Sequence, residues 1–173
     1  TGASFNLEIE ETAKILDGVD FSLLHCVTQY PTPLNQYNLS RMNYLRKFCS
    51  SVGWSDHSLV SQDGINGSLA SIFYDAAVLE RHFTILPSSK TKDGPVSINP
   101  NHLSELKKFS NLSKEKMESN LREVFPLFHL TLGTEQRDLS NIEIKNRDYF
   151  RGRFINKVSD KTFYNWEDIN FEL

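Results

Sequence analysis

The sequence predicts an α/β fold, a partial TIM (β/α) barrel of about three to four βα units. Three short apolar runs, at residues 23–27, 52–55 and 78–83, have the composition of buried strands. Each run ends in polar side chains, and a helical pattern follows it along the chain. Successive strand–helix units form a parallel sheet, and the residues that carry chemistry lie at the carboxyl ends of its strands.

The chain length limits how much of such a barrel is present. A complete eight-stranded barrel typically needs about 250 residues, whereas this chain has 173. Half a barrel has two open strand edges and an exposed apolar flank. We expect the other half to lie on the native polypeptide, upstream of Thr1 because no initiator Met is present, or a second copy to cover the gap in a homo-oligomer.

Apolar residues at helical spacing predict the elements around the strands. The patterns predict helices over residues 4–16, 38–49 and 59–74, two more beginning at Pro100 and Ser113, and a hairpin over residues 154–158 and 162–166. Ser4 is the expected N-cap of the first helix, and Gly64 and Gly67 weaken the third. We assign residues 1–110 to the half-barrel, and residues 111–173 to a helix and hairpin extension packing on the same domain.

Composition favours a small metabolite as the ligand over nucleic acid or a membrane surface. A net charge of −3 and a pI of about 5.9 provide no basic surface for nucleic acid or an anionic membrane. No apolar run approaches the roughly 20 residues that span a bilayer, and no signal peptide precedes the first helix, so we expect a cytoplasmic protein. Cys26 and Cys49 lack the paired spacing of a zinc site or disulfide framework and are predicted as buried thiols.

Two histidines at neighbouring strand ends are the strongest candidates for chemistry. His57 and His82 lie at the ends of neighbouring predicted strands, which are about 4.8 Å apart, so both imidazoles could reach one divalent ion. Two His ligands leave positions open for substrate oxygens and water. Asp56 is expected to point outward from the strand, and Asp93 to lie on a loop facing the same rim. The alternative is that each His satisfies local hydrogen bonds without metal.

Other polar residues at this rim are weaker candidates. Ser55 and Thr28 end strands where a phosphate or a hydroxyl-bearing substrate could bind, and Tyr30 could offer its phenol to a sugar, although such residues commonly only satisfy turn backbone. His25 is expected to be buried and hydrogen-bonded. Several basic side chains could attract an anion, or they could simply be solvated or form surface ion pairs. They are Arg81, Lys90, Lys92, Arg151 and Arg153.

Three motifs resemble the sialic acid (N-acetylneuraminate) synthase family. They are Leu-His-Cys at residues 24–26 with Tyr-Pro-Thr-Pro at 30–33, Gly-Trp-Ser-Asp-His-Ser at 53–58, and Glu-Arg-His-Phe-Thr at 80–84, in the family's order and near its spacing. Thr1 and Gly2 look like the end of the family's fifth barrel strand. The resemblance runs to about residue 110 and implies the C-terminal half of the barrel domain.

The resemblance also implies a reaction and its site residues. The family condenses phosphoenolpyruvate with N-acetylmannosamine or a related amino sugar, and phosphate leaves by C–O cleavage. His57 and His82 match its metal ligands, with manganese or magnesium the usual ion, while Ser55 matches a phosphoenolpyruvate contact and Tyr30 a sugar contact. Thr28 stands where many members have Asn. Many members have Gly-Pro-Asp after the second histidine, and the Asp of that motif binds the sugar. This chain has Asp93 before its Gly-Pro pair instead, and Asp93 could substitute for the family's Asp.

Two other functions remain open from the sequence. In the family, a catalytic glutamate and further phosphoenolpyruvate contacts come from the first half of the barrel, so this chain alone is expected to be inactive. A non-catalytic half-barrel that binds or assembles through its open sheet is one alternative. A metal-dependent lyase or aldolase on a related barrel is another.

Overall fold

The computed structural model describes residues 1–151, 155–158 and 160–164. Its central feature is a parallel sheet of three strands in the order β1-β2-β3. The strands are β1 (Ser22–Cys26), β2 (Ser51–Asp56) and β3 (Val78–Arg81). All three predicted strands are confirmed, although β3 ends two residues earlier than the predicted 78–83. The α/β class with a parallel sheet therefore follows directly from the structure.

Seven helices surround or extend the sheet in the described residues. They are α1 (Asn6–Ile15), α2 (Arg41–Leu45), α3 (Val60–Asp63), α4 (Asn66–Phe73), α5 (Pro100–Ser110), α6 (Lys114–Val124) and α7 (Asn141–Arg151). Short 3₁₀ turns occur at Leu34–Gln36, Ser88–Lys90, Gly94–Val96 and Phe128–Thr131. No helix in these described segments has the length and apolar character needed to cross a membrane.

Two glycines explain why the predicted helix over residues 59–74 is wrong as a single element. Gly64 has φ 57° and ψ −123°, a conformation that ends α3 and is unstrained only without a Cβ. At Gly67, a Cβ would lie 2.6 Å from the Tyr37 ring and 2.8 Å from the Trp54 ring. The chain breaks at Gly64, and Gly67 then lets α4 lie close against the sheet.

Local hydrogen bonds correct the boundaries of two other helices. The cap of α1 is Phe5, whose N–H donates to Glu8 Oε2 at 2.7 Å, whereas Ser4 Oγ donates to the Gly2 carbonyl. The predicted helix over residues 38–49 is shortened to α2. At its start, the Leu39 N–H donates to Thr131 O at 2.8 Å and not to a carbonyl within the helix. The predicted start of α5 at Pro100 is confirmed.

A single buried cluster joins the sheet to its helices. Val52 and Trp54 of β2 pack with Leu69 of α4, and the same cluster includes Met117 and Leu121 of α6. Residues on both sides of position 110 thus share one core. The division of the chain at residue 110 stays a prediction.

Both edges of the sheet carry additional short contacts. On the β1 side, the Thr1 ammonium group donates to Leu24 O at 2.8 Å. On the β3 side, Ile98 forms an isolated parallel bridge with Phe83, and its N–H donates to His82 O at 2.8 Å. The sheet is therefore extended by one bridge beyond β3, which the sequence patterns did not predict.

The carboxyl-terminal region contains a predicted hairpin and a helix that was missed. Strands β4 (Ile155–Val158) and β5 (Lys161–Tyr164) pair antiparallel, which confirms the hairpin. The remaining predicted hairpin residues, 154, 165 and 166, lie outside the described residues. Helix α7 was not predicted, yet Ser140 and Glu143 form a reciprocal capping box at its start. That Ser-x-x-Glu spacing is the sequence signal that could have revealed it.

Candidate active site

The register of β2 with β3 places the two candidate histidines side by side. Asp56 and Arg81 are paired at the ends of these strands, and His57 and His82 are the next residues of each chain segment. The centres of the two imidazole rings lie 5.3 Å apart, with their planes inclined by 63°. The His57 ring is buried, while the His82 side chain is one-third exposed.

Burial makes His57 a neutral ring at neutral pH. Loss of solvent, followed by the nearby His82, lowers the pKa of His57 from 6.5 to about 4. Its Nδ1 atom lies 3.9 Å from Cys26 Sγ, and its carbonyl accepts a 2.9 Å hydrogen bond from the Thr32 N–H. The residue is thus held by its main chain, and its ring has a nitrogen lone pair available at physiological pH.

Tyr30 covers the histidine pair from the β1 side. Its ring centre is 4.0 Å from that of His57 and 6.2 Å from that of His82. Burial, and then the neighbouring Cys26, raise the pKa of Tyr30 to about 12. The phenol therefore remains protonated near neutral pH and can donate a hydrogen bond to a hydroxyl or carboxylate oxygen.

The other predicted substrate-binding residues differ in how deeply they are buried near His57 and His82. Asp93 Oδ2 lies 3.8 Å from His82 Nδ1, too far for a direct hydrogen bond. Thr28 borders the same cavity as Asp93, whereas Ser55 is buried within β2 and is paired in register with Cys26. Thr28, Tyr30, His82 and Asp93 thus share one cavity, whereas Ser55 and His57 are buried and are not among its lining residues.

The cavity beside the histidines has a volume of about 820 Å³. Its lining combines amide, hydroxyl, carboxylate and apolar groups: Thr28, Gln29, Tyr30, Pro31, Thr32, Pro33, Leu59, Gln62, Asp63, His82, Asp93, Ile142, Asn146 and Phe150. This volume is in the usual range for a small-molecule site. The last three residues belong to α7, so one wall of the cavity comes from the helix that sequence patterns missed.

A buried glutamate attaches α7 to the end of β1. Glu143 is fully buried and accepts hydrogen bonds from Arg137 at 2.7 and 2.8 Å and from the Thr28 N–H at 3.2 Å. Burial alone would raise the pKa of Glu143, but these donors and the Arg137 charge lower it overall. The side chain of Asn146 adds a 2.7 Å hydrogen bond to Thr28 O. The carboxylate stays ionised and fixes the wall in place.

Several predicted residues do not contribute to the site as proposed. Arg81 does not present its charge to an anion, because its side chain is 2% exposed and bonded to Asp56. Asp56 does point away from the histidines, as predicted, toward α4. Cys26 and Cys49 are free but half-buried, so the prediction of buried thiols is wrong in degree. The Arg151 side chain and Arg153 lie outside the described part of the structure.

Among the described residues, two histidines alone make up the candidate metal-binding group at this edge of the sheet. No three His, Cys, Asp or Glu side chains converge as such a set within the described part of the chain. The spacing of the two rings is nevertheless short enough for one nitrogen of each to reach a common ion at about 2.1 Å. The two imidazoles would therefore fit an ion only as a two-histidine site with its other positions open.

The class is that of α/β proteins with a ligand site at one edge of a parallel sheet. Polar residues gather here at the carboxyl ends of the strands, where enzymes of this architecture bind their ligands. The sequence match to a family model identifies the family. The NeuB family model matches residues 1–120, and the chain belongs to this family.

Individual relatives carry synthase names. N,N'-diacetyllegionaminic acid synthase of Campylobacter jejuni is 38% identical over 112 residues, which is 61% of this chain and 32% of that protein. N-acetylneuraminate-9-phosphate synthase of Drosophila melanogaster is 36% identical over 89 residues, covering 50% of this chain and 23% of the relative.

Solved structures are similar over more of the chain. The crystal structure of spore coat polysaccharide biosynthesis protein SpsE from Bacillus subtilis gives a TM-score of 0.64 at 25% identity, covering 85% of this chain and 42% of that one. N-acetylneuraminic acid synthetase of Leptospira borgpetersenii gives 0.58 at 26% identity, covering 86% and 46%. The chain spans less than half the length of each of these relatives.

Proposed function

We propose that this chain is the C-terminal half-barrel of a nonulosonic (sialic) acid synthase. The reaction is the condensation of phosphoenolpyruvate with N-acetylmannosamine or a related N-acylated amino sugar. The observation that carries the proposal is the His57–His82 pair, 5.3 Å apart and covered by Tyr30 beside a cavity of small-molecule size. Membership of the NeuB family and the synthase names of its relatives support it.

Each site residue has a defined role in this proposal. His57 and His82 would hold a manganese or magnesium ion, which would supply Lewis acidity toward the aldehyde of the open-chain sugar. Tyr30 donates its phenolic proton to a sugar oxygen, and Asp93 and Thr28 bind further sugar hydroxyls from the cavity wall. Ser55 binds phosphoenolpyruvate on the buried side.

The chemistry forms a C–C bond and a C–O bond to water, and it breaks the C–O bond to phosphate. The methylene carbon of phosphoenolpyruvate attacks the sugar aldehyde carbon, which forms the new C–C bond, and the aldehyde oxygen takes up a proton. Water adds to the resulting oxocarbenium carbon and loses a proton, and the tetrahedral intermediate then collapses to a keto group as the C–O bond breaks and phosphate leaves. The buried His57 and the half-exposed Tyr30, whose ring centre lies 4.0 Å from that of His57, flank one side of this centre. Residues from the other half of the barrel complete the site, so we expect this chain to be inactive alone.

The metal site can be tested on the chain itself. We expect titration with Mn²⁺, followed by electron paramagnetic resonance of the free ion, to show one site per chain. His57→Ala and His82→Ala each remove it, because a single imidazole binds the ion far more weakly. His129→Ala is the control, since His129 is exposed on a separate turn. Equal Mn²⁺ binding by all three variants would overturn the assignment.

The reaction is tested on the full-length polypeptide that contains this chain. Product formation is measured with Mn²⁺, phosphoenolpyruvate and a panel of N-acylmannosamines. We expect one sugar to be turned over with release of inorganic phosphate. No turnover with any sugar would contradict the synthase proposal, and cleavage of a sugar acid instead would favour a lyase or aldolase.

A non-catalytic assembly module is the second candidate. The observation that favours it is the apolar surface beyond β3, where Phe83 is 50% and Ile85 78% exposed. Such a surface on the open side of a sheet can be covered by another copy of the chain. Analytical ultracentrifugation separates the candidates when combined with the assay, because a monomeric chain argues against assembly through this edge.

A further inference from the structure

A buried ion pair lies next to the two histidines and has no part in the proposed reaction. Asp56 is the last residue of β2 and Arg81 the last residue of β3, and the two are partners in the strand register. Their side chains are 0% and 2% exposed. Each immediately precedes one of the histidines in the sequence.

Arg81 is bonded to both sequence neighbours of His57. Its Nη1 donates to Asp56 Oδ2, and its Nη2 donates to Ser58 O at 3.0 Å. The Ser58 N–H in turn donates to Asp56 Oδ1 at 2.8 Å. The residue that precedes His82 therefore holds the main chain on both sides of His57.

Helix α4 closes the network from the outer face of the sheet. Ser68 Oγ donates to Asp56 Oδ2 at 2.5 Å, and Arg81 Nη1 lies 3.0 Å from the same hydroxyl. Successive side chains along a strand point to opposite faces. Asp56 and Arg81 thus face α4, while His57 and His82, one residue further on, face the opposite side of the sheet, where His82 lines the cavity. The ion pair joins the two strands directly behind the imidazoles.

We propose that Asp56 and Arg81 are positioning residues that set the spacing of His57 and His82 for one metal ion. The inference rests on the proposed function, since it assumes that the two rings share an ion. Regular pairing of β2 with β3 ends at this residue pair, so the histidines lie just beyond it. The planar guanidinium is suited to the task because its two terminal nitrogens bond the carboxylate and the Ser58 carbonyl at the same time.

The first test compares Mn²⁺ affinity in two matched carboxylate variants. Asp56→Asn weakens the ion pair, and we expect its dissociation constant for Mn²⁺ to rise about tenfold, as for other residues that orient metal ligands. Glu8→Gln is the control, because Glu8 is also paired with an arginine, Arg147, but on α1. We expect its affinity to stay within about twofold of the unsubstituted chain. Far-UV circular dichroism establishes that each variant is folded.

A second readout needs no metal. In the metal-free protein, we expect the nuclear Overhauser effect between the His57 and His82 ring protons to weaken in Asp56→Asn and to persist in Glu8→Gln. If the unsubstituted chain binds no Mn²⁺ but this signal still weakens in Asp56→Asn, the metal proposal fails and the positioning role stands. A folded Asp56→Asn with unchanged affinity and an unchanged ring–ring signal overturns the inference.

Arg81→Lys keeps the test decisive if Asp56→Asn does not fold. Lysine retains the positive charge but cannot bond Asp56 and the Ser58 carbonyl through two separate nitrogens. We expect Mn²⁺ affinity to fall several-fold and the ring–ring signal to weaken. Unchanged values for both measurements in folded Arg81→Lys would show that the pair only stabilises the fold.

Discussion

At the scale of single residues, burial controls the protonation of two histidines with different roles. His25 lies in the core, where its Nε2 is 2.7 Å from Tyr37 O, and burial lowers its pKa to about 3. Because a carbonyl oxygen only accepts hydrogen bonds, the neutral His25 ring carries its proton on Nε2. His57, with a pKa lowered to about 4, instead lies at the end of β2 with its ring against those of Tyr30 and His82. Only the second can offer its ring to a ligand.

These shifts predict that the protein loses stability in mild acid. The unfolded chain binds a proton at each histidine below about pH 6.5, whereas the folded chain does not until the pH approaches the lowered values. The free energy of unfolding therefore falls as pH decreases from 6.5 toward 4, by up to about 1.4 kcal/mol per pH unit for each group. Above pH 6.5 their contribution is constant. Urea unfolding at several pH values measures this slope.

His25→Gln isolates one contribution. A glutamine amide can still donate to Tyr37 O but does not titrate, so we expect the slope between pH 6 and 4.5 to decrease by about 1 kcal/mol per pH unit. His129→Gln, at an exposed position, serves as the control and should leave the slope unchanged. An unaltered slope in His25→Gln would show that His25 is protonated in the folded state.

At the scale of secondary structure, α7 is the element that most changes the site. It contributes Ile142, Asn146 and Phe150 to the cavity wall, more than 110 residues along the chain from Thr28 and Tyr30. Two buried ion pairs hold it in place. Glu143 is bonded to Arg137, and Arg147 donates to Glu8 Oε1 at 2.7 Å and to the Ala3 carbonyl.

Removing the Glu143 carboxylate should therefore weaken both the fold and the cavity. In Glu143→Ala, the Arg137 charge and the Thr28 N–H lose a buried partner, and we expect the free energy of unfolding to fall by about 3–5 kcal/mol. Urea unfolding measures the change. Glu123→Ala is the control, because Glu123 is exposed on α6, and its unfolding midpoint should match that of the unsubstituted chain. Similar losses in both variants would mean that the Glu143 contacts add no net stability.

At the scale of the whole molecule, the β3 edge of the sheet is paired, within the described residues, through one isolated bridge. Beyond β3, Ile98 pairs with Phe83, and the exposed residues Phe83, Ile85 and Leu86 follow along the chain. An exposed apolar strand edge promotes association with another chain. The half-barrel proposal accounts for this surface, since the remaining strands or a second copy would cover it.

The chain alone should therefore self-associate in a concentration-dependent way. Ile85→Lys places a charge on the apolar surface beyond β3, and we expect it to shift the sedimentation profile toward monomer. Ile15→Lys is a matched control, because Ile15 is 77% exposed against 78% for Ile85 but ends α1. A monomer at all concentrations, or the same shift in both variants, would argue against association through this surface.

The features that the sequence determined by itself are those with short-range causes. The three strands follow from compact apolar runs, the start of α5 from Asn99 and Pro100, and the hairpin from two extended runs around a turn. The resemblance that led to the family was carried by short motifs at the strand ends. All of these depend on residues within a few positions of one another.

The tertiary structure decided the contacts between distant parts of the chain. The sequence predicted that His57 and His82 would be neighbours, but their 5.3 Å ring separation depends on the β2–β3 register. The burial of Arg81 required Asp56 and α4, and the α7 wall required a carboxylate 115 residues away from Thr28. Local patterns do not encode such pairings, because the free energy of a buried charge depends on which partner the fold brings to it. For that reason Arg81, which the sequence suggested as an exposed cation, is instead the buried link between the two strands that carry the histidines.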